Sequence, residues 1–344
     1  MADLLQRVIP LQVQPKIVRI HSNEGESQPA LILGRTVSRV AAPPKFDNWL
    51  AHGWGIQVDT PTQLFKLISR IALLEQGRTY AWRGQNDASW DLSPSLFREI
   101  RDQGGMATEE RVRKSEMEIL EAARTWGLGR DLGSSATDMH MLAVLQHHGV
   151  PTRLVDVTAN PMTALWFATE EHKPDGKGIV RRSPGVLFAV DVTATVWYET
   201  FQHREDQTHA HLRNPLTAGF ENALERSAKT REMFRAFPAL PDDRMRAQEG
   251  FFLGSAVPKR HKAPGVLGIN PLGPAPGSEK LEKLLATEKG PGRPDSLPFC
   301  AIVIPAAVKD AIRNPLKRTY NRRRRVLFPD VDGFRDALLR NQLD

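Results

Sequence analysis

Three stretches of the chain hold the residue types that do chemistry. Residues 82–85 read Trp-Arg-Gly-Gln. A guanidinium is a planar fork that can grip a phosphate with two hydrogen bonds, and Gly84 beside it lets a ligand or another backbone come close. The same Arg83 could instead sit in a structural ion pair with Asp156 or Glu249. The second stretch is denser, with Gln146, His147, His148, Thr152, Arg153, Asp156 and Thr158 crowded beside an apolar segment. Polar groups in a half-buried place must be partnered or must do chemistry. His147, and His148 next to it, can act as acid or base near neutral pH, or can satisfy the carbonyls at a helix end. Arg153 and Asp156 suit a buried ion pair that fixes the loop. The third stretch is Gln248–Glu249, an amide and a carboxylate just ahead of an apolar run. None of this is a metal site: adjacent histidines on a helix point about 100° apart, and His203, His209 and His211 show no ligand spacing.

These residues need scaffolding, and the flanking sequence predicts it. Gly149 ends a helix over 138–147 as a left-handed cap, Pro151 cannot continue it, and 154–157 form a short buried strand. Thr158 and Asn160 stand before Pro161, an N-cap followed by proline in the first helical turn, and Met162, Leu165, Trp166 and Ala168 give that helix a buried face. Upstream, Thr60 caps a helix with the stripe Leu64, Leu67, Ile68, Ile71 and Leu74, which Gly77 stops. Residues 78–84 read as the strand that delivers Arg83, and 89–96 as a loop or short strand. Thr108 caps a helix reaching Trp126, with Ile119, Leu120, Ala123 and Trp126 on one face. Residues 185–192 and 299–304 are apolar strands, and 244–253 lead through Gln248 and Glu249 into another. Residues 199–240 are charged and helical in pieces. A helix at 306–313 enters through Pro305, 326–328 form a short strand, and 332–339 the last helix. Residues 1–45 read as an N-terminal extension with an edge strand near 8–18. Residues 46–344 read as one domain with a Pro/Gly-rich insertion at about 255–298, itself holding a helical piece near 278–287. Helices and strands do not alternate in order, so the expected class is α+β, mixed sheets with surrounding helices.

With 344 residues, 40% hydrophobic and 25% charged, the chain suits one large globular domain. No apolar run approaches the roughly 20 residues of a spanning helix, and the N-terminus lacks a secretory pattern. Cys300 is the only cysteine and sits in an apolar run, which excludes a disulfide framework and predicts a buried thiol in a reducing, cytoplasmic setting. The net charge of +7 is concentrated in Lys317, Arg318 and Arg322 to Arg325. Such a cluster attracts phosphate, but few aromatics interleave with it, which favours a solvated loop over a base-stacking surface. Trp82, Trp90 and Trp166 are expected in the core rather than on a ligand ring.

Several ordered motifs resemble the FRG-domain family of bacterial proteins. The central run matches its pattern at Gln146, His147, Gly149, Pro151, Thr152, Arg153, Leu154, Asp156 and Thr158, then Ala164, Leu165, Phe167 and Ala168. His148 and Val157 replace an aromatic residue and a tryptophan usual there. The family's Phe-Arg-Gly appears as Trp82-Arg83-Gly84, its Gln-Gln-Gly-x-Phe as Gln248 to Phe252, and its Leu-Phe-Pro-Asp-x-Asp-Gly as Leu327 to Gly333. The resemblance thus spans residues 59–340. The order of features also resembles that of mono-ADP-ribosyltransferases: an arginine on a first strand, a Ser-Thr-Ser strand running into a helix, and a glutamate near a later strand. That second resemblance implies the ADP-ribosyltransferase fold and NAD as substrate. Arg83, with Gly84 and Gln85, would hold the pyrophosphate, and Thr158 would shape the nicotinamide pocket. Arg153 and Asp156 would complete the cofactor-binding set. Glu249, or Gln248 beside it, would bond the nicotinamide ribose, and His147 is the third catalytic candidate. Thr158 lies in Asp-Val-Thr rather than Ser-Thr-Ser, and Glu249 stands where FRG sequences usually carry a second glutamine. The implied activity is transfer of ADP-ribose to a protein or nucleic acid, or NAD hydrolysis, as a toxin or phage-defence effector restrained by a neutralising partner. Two other readings stay open. One is a non-catalytic sensor binding nucleotide or nucleic acid through Arg83, Arg153 and Arg322–Arg325. The other is a nuclease or other hydrolase using His147 and Asp156.

Overall fold

The structure, a computed structural model, describes residues 49–74, 77–128, 137–171, 182–199, 219–237, 242–259, 265–266, 268–269, 275–286, 297–340 and 343. The chain divides into units of residues 1–38 and 39–344, and every described residue lies in the second. The expected edge strand near 8–18 and the His203, His209 and His211 group fall outside the described residues.

The strands are β1 (Gly55–Gln57), β2 (Tyr80–Gln85), β3 (Val155–Thr158), β4 (Gly185–Asp191), β5 (Val196–Glu199), β6 (Phe234–Phe237), β7 (Gly250–Gly254) and β8 (Phe299–Ile304). They form one mixed sheet in the order β1-β8-β4-β2-β3-β7-β6-β5. The two outermost pairs are parallel and every inner pair is antiparallel. β4 and β8 are apolar at nearly every position because both faces are covered. Leu187, Ala189, Cys300, Ile302 and Ile304 join one core, while Val186, Phe188, Val190, Phe299 and Ala301 join the other. The first core takes in α1 (Pro61–Ala72), α5 (Pro161–Thr169), α8 (Ser278–Ala286) and α9 (Ala306–Arg318). A third apolar cluster joins α3 (Glu109–Thr125), α4 (Asp138–His147), α6 (Gly219–Thr230) and α7 (Asp243–Gln248) to β6 and β7. The protein is α+β, as expected. No helix among the described residues is long and apolar enough to cross a membrane.

Local chemistry accounts for most element ends. Thr60, Thr108 and Asn160 each accept a backbone N–H of the helix they precede. α4 ends in a Schellman turn: Gly149 is left-handed at φ +82°, its N–H reaches Gln146 O, and the Val150 N–H reaches Leu145 O. Several expectations fail, among them the core placement of Trp90, which is 47% exposed. Residues 326–328 are no strand; they fall in and after the short helix α10 (Arg324–Leu327), where Arg324 is buried between Glu170 and Asp336 and Leu327 is sealed from water. The basic run is therefore partly interior, not a solvated loop. Residues 89–94 form the expected loop, but the stretch ends in a helix, α2 (Ser95–Asp102), that buries Leu96, Phe97 and Ile100. Trp126 is 85% exposed, because the buried stripe of α3 is Val112, Glu116, Leu120 and Ala123 and ends before it. Helix α9 continues past Arg313 and through Pro315. The last helix is α11 (Val331–Leu339), which Asp330 caps through the Gly333 N–H.

Arg153 corrects a further expectation. It does not pair with Asp156. Its Nε donates to both carboxylate oxygens of Glu116 at 2.8 Å, and its Nη1 donates to Glu109 at 3.1 Å and to the Ser255 carbonyl at 3.4 Å. Both Arg153 and Glu116 are sealed from water. Burial opposes the charge on Arg153, but the two glutamates more than offset it and raise its pKa above the ordinary value. Burial also pushes the Glu116 carboxyl up, with Arg153 pulling it back. Glu109 is less buried; Arg153 and the Val257 N–H outweigh its burial and hold its carboxyl below the usual range. Removing one partner strands the other. Glu116→Gln should therefore cost about 3–5 kcal/mol in urea unfolding, whereas the double change Glu116→Met with Arg153→Leu should cost much less.

Candidate functional site

β2 and β3 meet at a single register pair, Trp82 with Thr158. Beyond it Arg83 reaches across: its Nη1 donates to the Asp156 backbone carbonyl at 2.5 Å and lies 3.6 Å from the Asp156 carboxylate. Here a cavity of about 420 Å³ opens. Its lining comes from β2 (Trp82, Arg83, Gly84), β3 (Asp156, Val157, Thr158), the end of α4 (Gln146, His147), α2 (Ser95, Arg98), α5 (Ala164, Phe167) and the α7–β7 corner (Arg244, Met245, Gln248, Gly250, Phe251). That size and a mixed apolar and polar lining suit a small-molecule ligand.

The polar wall is ordered by its own hydrogen bonds. Gln146 donates to the Asp156 carboxylate at 2.9 Å and accepts from the Thr152 hydroxyl at 2.7 Å. The Thr152 hydroxyl also accepts from the Leu154 N–H, which fixes the entry to β3. His147 pairs through Nε2 with Asp242 at 2.7 Å, and Asp242 caps α7 through the Met245 N–H. Burial pushes His147 below the usual histidine pKa, with Asp242 only partly offsetting it. His147 is thus neutral at neutral pH, with its Nε2–H donating to Asp242 and Nδ1 left as the basic nitrogen.

Of the residues expected at a site, Arg83, Gly84, His147, Asp156, Thr158 and Gln248 share this cavity. Three others do not line it. Arg153 is spent on Glu116 and Glu109. Gln85 is buried, and its amide donates to the Asp91 carbonyl at 3.3 Å. Glu249 caps α7 in the left-handed region at φ +51°, and its carboxylate accepts from Asn160 at 2.8 Å and from Arg322 at 3.2 Å. Two of the six carry structural duties. The Thr158 hydroxyl donates to the Gln248 carbonyl at 2.7 Å and accepts from the Asn160 N–H. A Cβ on Gly84 would stand 1.8 Å from the Ala164 carbonyl, so this glycine serves the approach of α5 to β2. Arg98 and Arg244 were missed by the sequence reading. No motif marks them, and Arg98 lies on the helix α2, most of which the sequence reading left unassigned. Among the described residues, no three His, Cys, Asp or Glu side chains group as a metal site does.

Residues 78–177 match the family model described as the FRG domain. The chain carries an FRG domain. The FRG segment runs from β2 through α5 and contains Arg83, Gln146, His147, Asp156 and Thr158, while Arg244 and Gln248 lie outside it. No curated protein and no solved structure matches the chain.

Two outcomes follow from the geometry. Gly84→Ala should push α5 off β2 and lower stability by about 1–3 kcal/mol or more, seen as a drop in Tm. For pH, burial depresses His140 as well as His147. The unfolded chain then binds protons that the folded chain refuses. Stability is full above about 6.5, the ordinary histidine value, and falls as pH drops below it, by up to about 1.4 kcal/mol per unit per histidine. Urea unfolding from about pH 8 to pH 5 checks this, and His140→Gln should flatten the slope.

Proposed function

We propose that this FRG protein uses NAD, breaking the nicotinamide–ribose bond and passing ADP-ribose to a macromolecular acceptor or to water. One observation carries the reading: a single cavity gathers Arg83, His147, Asp156, Thr158 and Gln248 from four separate elements. As the bond breaks, nicotinamide leaves with the electron pair and positive charge grows on the sugar carbon. A carboxylate fixed against the sugar stabilises that charge. Asp156 is the carboxylate in the cavity lining, and we assign it this role in place of Glu249, whose side chain is held by Asn160 and Arg322. Gln146 keeps Asp156 oriented. His147, held neutral by burial, takes the proton of the attacking hydroxyl or amine. Gln248 faces the ribose. A cytoplasmic toxin or phage-defence effector, restrained by a neutralising partner, is the setting in which such an activity fits.

The His147–Asp242 pair favours a second reading, a hydrolase of RNA or DNA in which His147 is the base. Cleavage of either polymer, lost in His147→Ala, would select it.

The deciding measurement is nicotinamide release from NAD, with labelled NAD added to cell extract to reveal an acceptor. Asp156→Asn should reduce kcat by about 100-fold or more, and Glu249→Gln by no more than a few-fold. Absence of both release and labelling overturns the reading; a larger loss in Glu249→Gln than in Asp156→Asn overturns the carboxylate assignment.

A further inference from the structure

The cavity has a charge imbalance that its own residues do not resolve. Three guanidinium groups line it, Arg83 from β2, Arg98 from α2 and Arg244 from α7, against the one carboxylate of Asp156. Asp156 is committed: it accepts from Gln146 and faces Arg83. Arg83 is committed in turn, since it donates to the Asp156 carbonyl and so ties β3 to β2. It is therefore a strand tie more than a phosphate ligand. Arg98 and Arg244 are different. Arg98 donates to the Ser93 carbonyl at 2.6 Å, and the Arg244 guanidinium stacks 4.4 Å from the centre of the Phe328 ring. Among the described residues neither is ion-paired. Partial burial, and then the like charge of Arg83, make Arg98 less basic than an ordinary arginine. Cations brought to one half-enclosed space from separate helices repel one another until an anion enters, and a planar fork matches phosphate oxygens.

We propose that Arg98 and Arg244 form a clamp on the phosphates of a nucleoside diphosphate or dinucleotide bound in this cavity. Arg98 sits on α2 and Arg244 on the first turn of α7, and both line the cavity. The diphosphate spans them and leaves the Asp156 and His147 wall for the sugar. Phe328 holds the Arg244 fork in a fixed plane, so little side-chain entropy is lost on binding. The clamp deepens the NAD reading and rests on it for the identity of the ligand.

Calorimetric titration of the full chain with pyrophosphate, ADP, NAD and adenosine tests the clamp. Pyrophosphate and ADP should bind, with affinity falling as salt is raised, and adenosine should bind at least about tenfold more weakly than ADP. Arg98→Gln and Arg244→Gln should each weaken ADP by about tenfold or more, with Tm unchanged and a shallower salt dependence. The clamp is overturned if pyrophosphate and ADP do not bind, if adenosine matches ADP, or if both variants bind ADP as the parent does. The two readings separate cleanly. ADP binding lost in the variants, without any NAD turnover, keeps the clamp and removes the transferase. NAD turnover with an unchanged KM in both variants does the reverse.

Discussion

Arg153 lies fully inside the protein, and its charge is met by Glu116, Glu109 and the Ser255 carbonyl. Taking a guanidinium and a carboxylate out of water costs several kcal/mol for each, and the attraction between them repays this only if the geometry is complete. The constraint reaches across the molecule. Glu116 and Glu109 lie on α3, Arg153 sits just before β3, and Ser255 follows β7. One ionic cluster therefore sets the position of a helix relative to two neighbouring strands. The next turn of chain is fixed from the other side by the left-handed Gly149 cap and by the Thr152 hydroxyl, which bonds both Gln146 and the Leu154 N–H. Between these two anchors Asp156 has little freedom, and its carboxylate is turned to the cavity.

The second constraint is steric. Helix α5 lies on β2 so closely that the Ala164 carbonyl and the Ala168 N–H occupy the space a side chain at position 84 would take. Gly185, at the start of β4, is crowded in the same way by the Ala168 carbonyl. Close contact of helix and strand brings the N-terminus of α5, and with it Asn160 and Thr158, to the edge of the split between β2 and β3. A glycine that reads as a ligand contact in isolation is thus a packing residue whose effect on the site is indirect.

These two constraints decide what could be read in the chain beforehand. Helix caps, the Gly149 stop and the apolar strands are local: each follows from a few neighbouring residues, and each was legible. The joint placement of Arg83, Asp156, Thr158 and Gln248 followed from the order of motifs alone. What could not be read was long-range pairing. Spacing put Asp156 within reach of Arg153 but carried no sign of Glu116, 37 residues earlier in the chain. Arg324 looked like one member of a solvated basic run, because its partners Glu170 and Asp336 are distant in sequence. Arg98 was hidden for another reason. The eight-residue helix α2 has no side-chain cap, so its start at Ser95 follows a proline with no signal beyond Leu96, Phe97 and Ile100.

At the Gln248–Glu249 corner, Gln248 lines the cavity and Glu249 does not. Glu249 takes a left-handed conformation that glycine adopts at less cost, although Gly250 is its neighbour. The surroundings account for it. The Thr158 hydroxyl bonds the Gln248 carbonyl, and the Ala159 N–H bonds the Glu249 carbonyl, so the end of β3 dictates the turn. The Gln248 side chain is held to the Leu327 carbonyl, and the Glu249 carboxylate is gripped by Asn160 at the start of α5 and Arg322 ahead of α10. The corner is a junction of four segments, and its strain is met by those bonds. A carboxylate fixed there braces the corner and does not line the cavity. The carboxylate that does line the cavity is that of Asp156, and its restraint by Gln146 leaves it facing the space a ligand would fill.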